Sequence, residues 1–351
     1  MITLGIETSC DETALCLLET RGENFDIEYR ILGNIINSQI DIHREYGGVY
    51  PALAKREHIK NLPVLFDKLK KDSGIEENKI DQIAITTGPG LEPALWTGIV
   101  FAKEIGEKNN IPIIPVNHME GHIVSTFFKS TDINGDFIKI KKVDFPSIAI
   151  LISGGHTEIV RIDEIGKYEI LGRTRDDAIG EAFDKVARML ELPYPGGPEI
   201  SKLAEEARKE NLENNIVLPR PMIHSKDFDF SFSGLKTSVL YTLKTLGKLD
   251  QNQIKDISRE FENSVTEVLI SKTEKVLEEY ECKNIIIGGG VIANNNIRKE
   301  FEKLGDKHNI PLFLPAKGLT GDNALMIAMA SIFNNKKKNP PDIIALGNLP
   351  L

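Results

Sequence analysis

The chain has 351 residues, enough for two domains that each bury a core, and its 41% hydrophobic and 27% charged residues are the proportions of an ordinary globular protein. A formal net charge of −9 argues against a fold that wraps nucleic acid unaided, and three cysteines (Cys10, Cys16, Cys282) argue for a reducing compartment, the cytoplasm, over a disulfide framework. No apolar run reaches bilayer length, and Met1-Ile2-Thr3-Leu4-Gly5 enters a strand pattern at once without a basic leader, so neither a membrane span nor a secretory signal is expected. Short basic clusters at Lys68, Lys70 and Lys71, at Lys139 through Lys142, and at Lys336 to Lys338 read as solvated surface.

Ile2 to Ile6 reads as a strand, Glu7 to Thr13 as a polar turn, and Ala14 to Leu18 as a returning strand. A further strand is predicted from Tyr29 to Ile36 and a helix over 51–72. Ile80 to Thr86 is a strand running into Gly88-Pro89-Gly90, followed by helical spacing from Ala94 to Lys108, with Trp96 expected in the core. Ile111 to Val116 is a buried strand that delivers the chain to Asn117-His118-Met119-Glu120-Gly121-His122. After a polar stretch over 129–145 the opening pattern recurs: strand Ser147 to Ile152, turn Ser153 to Thr157, strand Glu158 to Ile162. Two such units, each followed by helices and strands, predict an α/β protein of two similar domains. A helix over Asp176 to Leu190 is broken by Pro193 and by Pro195-Gly196-Gly197-Pro198. A long helix is predicted over 251–280, then a strand from Asn284 to Ile287 into Gly288-Gly289-Gly290. Lys317 to Thr320 forms a loop, and Asp322 is placed at the N-cap of an apolar helix ending near Phe333. Phe230 to Thr237, including Lys236, reads as a buried turn into a helix with no chemical role.

His118 and His122 lie one helical turn apart and can share a metal. Glu120 sits about 200° round the helix from His118. It therefore points away from the metal face, which speaks against a zinc-protease motif, where the glutamate directly follows the first histidine. Asp322, after Gly321, is the candidate third ligand; two histidines and a carboxylate suit iron(II) or zinc, although aspartate is also a favoured helix cap. Three small-residue loops, Ser153-Gly154-Gly155, Pro195-Gly196-Gly197 and Gly288-Gly289-Gly290 ahead of Asn294, let backbone N–H groups approach phosphate. None has Walker or Rossmann spacing, so the expectation is an adenine nucleotide site of another kind.

Gly5-Ile6-Glu7-Thr8-Ser9-Cys10-Asp11-Glu12-Thr13, Gly88-Pro89-Gly90-Leu91, His118 to His122 and Ser153-Gly154-Gly155-His156-Thr157 occur in that order along the chain. Gly180-Glu181-Ala182-Phe183-Asp184-Lys185, Phe230 to Thr237 and Asp322-Asn323-Ala324 follow them. Together they resemble the signatures of the universal tRNA threonylcarbamoyladenosine transferase family, and Gly47-Gly48-Val49-Tyr50-Pro51 resembles its bacterial branch. The resemblance implies an actin-like, sugar-kinase-like duplicated fold holding the nucleotide between two domains, drawn here as 1–117 with 322–351, and 118–321. It implies one divalent metal on His118, His122 and Asp322, iron(II) or zinc. It also implies contacts with threonylcarbamoyl-AMP from Leu151, Ile152, Ser153, Gly154, Gly155, Asp184, Gly197 and Asn294. The expected reaction is transfer of the threonylcarbamoyl group to N6 of the adenosine on the 3′ side of the anticodon in tRNA, with Asp11 or Glu12 accepting the N6 proton. A homologous non-catalytic (TsaB-like) subunit and a small (TsaE-like) ATPase are the implied partners. Ala52, Ser201 and the segment 130–145 depart from the family's pattern. The rival readings are an actin-like ATPase or kinase, a metalloprotease, and a non-catalytic paralogue, which should lack the histidine pair.

Overall fold

The computed structural model describes residues 1–23, 25–316, 318–334 and 342–351; Lys317 and the Lys336 to Lys338 cluster lie outside these. Two compact units emerge, Met1–Val143 with Pro315–Leu351, and Asp144–Leu314.

The first unit opens with strands β1 (Ile2–Glu7), β2 (Glu12–Arg21) and β3 (Glu28–Ser38), then helices α1 (Ile40–Arg44) and α2 (Pro51–Ser73). Strand β4 (Gln82–Gly88), helix α3 (Glu92–Asn109), strand β5 (Ile113–Asn117), helix α4 (His118–Ser125) and the short strand β6 (Ile138–Lys139) follow. The sheet order is β5-β4-β1-β2-β3-β6, with β5, β4 and β1 parallel and the rest antiparallel. Because side chains alternate across a strand, the two faces of β1 serve different neighbours. Leu4 and Ile6 share a core with Leu62 of α2 and Leu95 and Ile99 of α3. Gly5 faces the other way, toward Ala324 and Ala328. The stretch 130–145, which departs from the family's pattern, supplies β6 as an edge strand, anchored by the Tyr29 hydroxyl, which donates to the Ser130 carbonyl at 2.9 Å.

The second unit contains β7 (Ser147–Ile152), β8 (Thr157–Glu164), β9 (Lys167–Arg173) and helices α5 (Ile179–Met189), α6 (Gly196–Lys209), α7 (Ser233–Leu246) and α8 (Gln251–Glu279). Strand β10 (Asn284–Gly288), helix α9 (Asn295–His308) and strand β11 (Leu312–Phe313) complete it before the chain returns to the first unit with α10 (Ala324–Phe333). Its sheet order is β11-β10-β7-β8-β9, again three parallel strands followed by two antiparallel ones. Strand for strand this repeats β5-β4-β1-β2-β3, so the recurrence seen in sequence is a duplicated topology. Its core joins Ile148, Ile150 and Ile152 of β7 to Phe183 of α5 and to Phe261 and Val265 of α8.

Several sequence expectations are corrected. The boundary lies at 143/144 and 314/315. Placing it at 117/118 and 321/322 assigned α4 to the wrong unit; α4 follows β5 directly and packs on α10. Pro195-Gly196-Gly197 is the start of α6, not a turn after a strand; proline and small residues are tolerated where the first helical N–H groups have no partner anyway. Trp96 is 38% exposed, because the buried stripe of α3 runs through Ala94, Leu95, Ile99 and Ala102. Asn323, not Asp322, caps α10: its side chain accepts from the Met326 N–H at 3.0 Å. That one-residue shift releases the Asp322 carboxylate. Two of the basic clusters are partly neutralised, Lys70 by Asp67 and Glu77 and Lys139 by Asp26.

Candidate functional site

Helix α4 begins where β5 ends, and Asn117 caps it by accepting from the N–H groups of Met119 (2.8 Å) and Glu120 (3.3 Å). All eight of its residues are buried, unlike a solvated surface helix with incidental histidines. Two glycines bring α10 close. A Cβ on Gly121 would stand 3.1 Å from Met326 and Ile327 side-chain atoms, and one on Gly5 would stand 2.4 Å from the Ala324 carbonyl oxygen. The backbone leading into α10 therefore delivers Asp322 to the histidine face.

One donor atom each from His118, His122 and Asp322 falls within 4.8 Å of the others. His118 Nε2 is 3.4 Å and His122 Nε2 3.2 Å from Asp322 Oδ1, and the imidazole centroids are 4.7 Å apart. Glu120 is not part of this donor group. His122 is wholly buried; its Nδ1 makes no hydrogen bond among the described residues, and its Nε2 has only the Asp322 carboxylate beside it, at 3.2 Å. A buried imidazole so incompletely paired is costly unless something else binds it. The three side chains thus fit a cation with an N,N,O donor set.

Sequence reading missed the residues behind His118. Glu7, the last residue of β1, is fully buried; its Oε2 lies 3.2 Å from His118 Nδ1 and accepts from the Thr86 hydroxyl at 2.5 Å. Glu7 Oε1 accepts from the Ser9 N–H at 2.6 Å, and Ser9 Oγ lies 3.2 Å from His118 Nδ1. This is the outer-shell arrangement that orients a ligating histidine. The available signal was an acid closing an otherwise apolar strand. Burial by itself would raise Glu7, but the charge and hydrogen bond of His118 hold it below the usual carboxylate value. Asp322 is likewise pushed up by burial and brought far below its usual value by His118 and His122. Burial works against a charged His118, yet Asp322 and Glu7 outweigh it and hold the ring well above the usual histidine range. Burial pushes His122 down. Two carboxylates thus converge on a centre that favours one positive charge. Nearby, burial and the charges of Asp11 and Asp322 push the Glu12 carboxyl up to about 10.

In the second unit, the loops after β7 and β10 leave the same carboxyl end of the sheet, since the strands run parallel with Leu151 opposite Gly288. Leu151 and Ile152 are wholly buried in β7, so only their backbone can reach a ligand. Ser153 Oγ accepts from the His156 N–H at 3.2 Å, and Gly154 and Gly155 face open space. A Cβ on Gly180 would stand 2.8 Å from Gly154 Cα, which brings the start of α5 against this loop. Asp184, one turn further along α5, accepts from the Gly196 N–H at 2.7 Å. Gly196 is packed against Ala187, whereas Gly197 is open. The Asn294 side chain is occupied at both ends: it caps α9 by accepting from the Ile297 N–H at 3.0 Å and donates to Glu262 at 2.5 Å. Phe230 and Phe232 are buried, and Lys236 pairs with Asp177 at 3.1 Å, a structural role.

A family model described as TsaD, tRNA N6-adenosine threonylcarbamoyltransferase, matches residues 30–329. The chain belongs to this family. A tRNA N6-adenosine threonylcarbamoyltransferase of Thermosipho africanus is 44% identical over 337 residues, covering 96% of this chain and 95% of that one. One of Bacillus subtilis is 41% identical over 332 residues, covering 94% and 89%. Among solved structures, full-length HypF in its phosphate- and nucleotide-bound form aligns with a TM-score of 0.58 at 15% identity, over 95% of this chain and 46% of HypF. Component A of Acidaminococcus fermentans (R)-2-hydroxyglutaryl-CoA dehydratase aligns at 0.50 and 11%, over 95% and 97%. The fold is of the actin-like, sugar-kinase-like class. No helix among the described residues is long and apolar enough to cross a membrane.

Proposed function

We propose that this chain transfers a threonylcarbamoyl group from threonylcarbamoyl-AMP to N6 of the adenosine on the 3′ side of the anticodon in tRNA, releasing AMP, and that it does so with a divalent metal on His118, His122 and Asp322. Family membership supports threonylcarbamoyl transfer to tRNA adenosine. The observation that carries the metal is the convergence of one donor atom each from His118, Asp322 and the fully buried His122, whose Nδ1 has no hydrogen bond among the described residues. The ion, iron(II) or zinc, would supply Lewis acidity toward the threonylcarbamoyl oxygens.

The donor is a mixed anhydride. N6 forms a bond to the carbamoyl carbon as the bond to the phosphate oxygen breaks; AMP leaves with that electron pair, and N6 sheds a proton. Positioning carries most of such a reaction, because the carbonyl is already activated. We assign the N6 proton to a carboxylate of the turn that follows β1, Asp11 or Glu12. The Ser153-Gly154-Gly155 loop would take the phosphate on its backbone, and Leu151 and Ile152 would contribute backbone only. Asp184, Gly197 and Asn294 are assigned to the AMP moiety, Asn294 through whatever reach its cap leaves.

A TsaB-like homologous subunit and a TsaE-like ATPase are proposed as partners, and the cytoplasm, where tRNA is modified, as the compartment. The acidic chain then draws its grip on tRNA from partner surfaces or local basic patches. Purified chain, with those partners, is incubated with labelled threonylcarbamoyl-AMP and unmodified tRNA, with and without chelator. Label should enter tRNA and be lost on chelation. Absence of label in tRNA under every condition refutes the transfer; label that persists after complete metal removal refutes the metal's role.

A further inference from the structure

Beside the metal cluster, the first unit buries two more histidines that the reaction above does not use. His43 of α1 and His58 of α2 are both fully buried, and Gln39, 1% exposed, lies between them. Fixed groups at the two ends force their protonation pattern. His43 Nδ1 receives the Tyr50 backbone N–H at 3.3 Å, so it carries no proton and Nε2 does. That Nε2 faces Gln39 Oε1 at 3.2 Å. The Gln39 amide nitrogen must then point the other way; it lies 3.4 Å from the Ala54 carbonyl and 3.3 Å from His58 Nδ1. At the far end, His58 Nε2 lies 3.0 Å from the Cys10 carbonyl oxygen, which only accepts, so the proton sits on Nε2. Nδ1 of His58 is therefore an acceptor, and the Thr13 hydroxyl donates to it at 2.8 Å.

Every donor has an acceptor in one direction only: Tyr50 N–H to His43, His43 to Gln39, Gln39 to His58, His58 to Cys10. The turn at its end is held at three successive carbonyls. Ser9 accepts from the Leu91 N–H at 2.8 Å, Cys10 from His58, and Asp11 from the Gln39 N–H at 2.9 Å. We infer that Gln39, His43 and His58, both rings neutral with the proton on Nε2, are positioning residues that fix the Cys10–Glu12 turn and with it the carboxyl groups of Asp11 and Glu12. Protonating either ring would set an N–H against Tyr50 N–H or against the Thr13 and Gln39 donors. Burial keeps both rings below the usual histidine value despite the carboxylates that face them, Glu7 and Asp11 for His58, Asp11 and Glu57 for His43.

The catalytic consequence rests on Asp11 and Glu12 belonging to the reaction; the hydrogen-bond chain itself does not, and two measurements separate them. The first is NMR of full-length, metal-loaded protein labelled with 15N-histidine, with His43 and His58 assigned by single substitution. Both should show a bare Nδ1 and a protonated Nε2 at neutral pH. A proton on either Nδ1 overturns the chain, whatever the activity. The second is single-turnover transfer by His58→Phe and His58→Gln, with metal content measured for each. His58→Phe keeps a flat ring, somewhat larger than imidazole, and loses the donor; its rate should fall roughly tenfold or more with KM and metal content unchanged. His58→Gln places an amide N–H where Nε2 stood and should recover most of that rate. A folded, metal-loaded His58→Phe with the parent rate refutes the positioning role, as does equal impairment of the two variants. Should His58→Phe fail to fold, Gln39→Glu, which removes the donor to His58, is read the same way.

Discussion

Replacing Gly5 with alanine tests how closely the metal cluster depends on backbone approach. The new Cβ would stand 2.4 Å from the Ala324 carbonyl oxygen, 2.8 Å from Cys16 Sγ and 3.1 Å from Ala328 Cβ. Two of these three atoms belong to α10, and the tightest is backbone, so no rotamer change relieves it. Reaching an ordinary contact of 3.4 Å requires roughly 1 Å of movement between β1 and the start of α10. Overpacking of this kind costs about 1–3 kcal/mol, which lowers the melting temperature by roughly 2–4 °C per kcal/mol in a domain of this size. Because Asp322 is tied to that helix start, the same shift carries its carboxylate from Nε2 of His118 and His122. Metal ligand distances tolerate only about ±0.2 Å, so affinity should fall by roughly 10–100-fold. Gly121→Ala is the milder comparison, because side chains can give way where backbone cannot. Its Cβ would meet only the side-chain atoms of Ile327 and Met326 at 3.1 Å, and alanine favours the helix by about 1 kcal/mol over glycine. Thermal melts with and without chelator, and metal titration by calorimetry, read both variants. A Gly5→Ala protein that binds metal as the parent does, or a Gly121→Ala protein that loses it equally, refutes the argument.

Glu7→Gln keeps the shape of the acid behind His118 but removes its charge; metal affinity should fall by roughly 10–100-fold with little change in secondary structure, checked by calorimetry and circular dichroism. Gly197→Ala should leave the melting temperature unchanged, because its Cβ would meet nothing within 4 Å, yet raise KM for threonylcarbamoyl-AMP if the donor lies against that backbone; Gly196→Ala, facing Ala187 at 2.4 Å, should destabilise the fold instead. Away from the site, Glu77 carries a depressed pKa of about 2 through its hydrogen bond to Lys70, with Asn109 and Lys108 helping against burial. A folded-state value below the usual 4.5 means its stabilisation is full above pH 4.5 and disappears as pH falls toward 2. Glu77→Gln should therefore cost about 1–2 kcal/mol at neutral pH, discounted for the exposed Lys108, and the difference should vanish near pH 2 in denaturant titrations.

Local pattern carried the secondary structure well where it was strongly periodic. The strand–turn–strand openings, the helices at 51–72, 94–108 and 251–280, and the HxxxH spacing follow from alternation, helical period and turn residues. Those properties belong to a few consecutive residues and survive without tertiary context. The elements that were missed or misplaced are weakly patterned or depend on distant partners. Helix α6 begins with Gly-Gly-Pro, which reads as a breaker until a helix N-terminus is recognised. Trp96 reads as core until the buried stripe of α3 is seen to pass it by.

The candidate site divides the same way. The sequence by itself placed His118 and His122 on one helical face, Glu120 off it, and small residues at strand ends, because each is a matter of spacing. It left Asp322 as both cap and ligand, and it left Glu7 in a polar turn. Only the tertiary structure decided these. Asn323 takes the cap, Gly5 and Gly121 let α10 approach α4 and β1, and Asp322 arrives at two imidazoles some 200 residues away in sequence. Glu7, over 100 residues from His118, becomes the acid behind it. Contacts of that separation are set by how elements pack, and packing is written in volumes and close approaches that no local periodicity reveals.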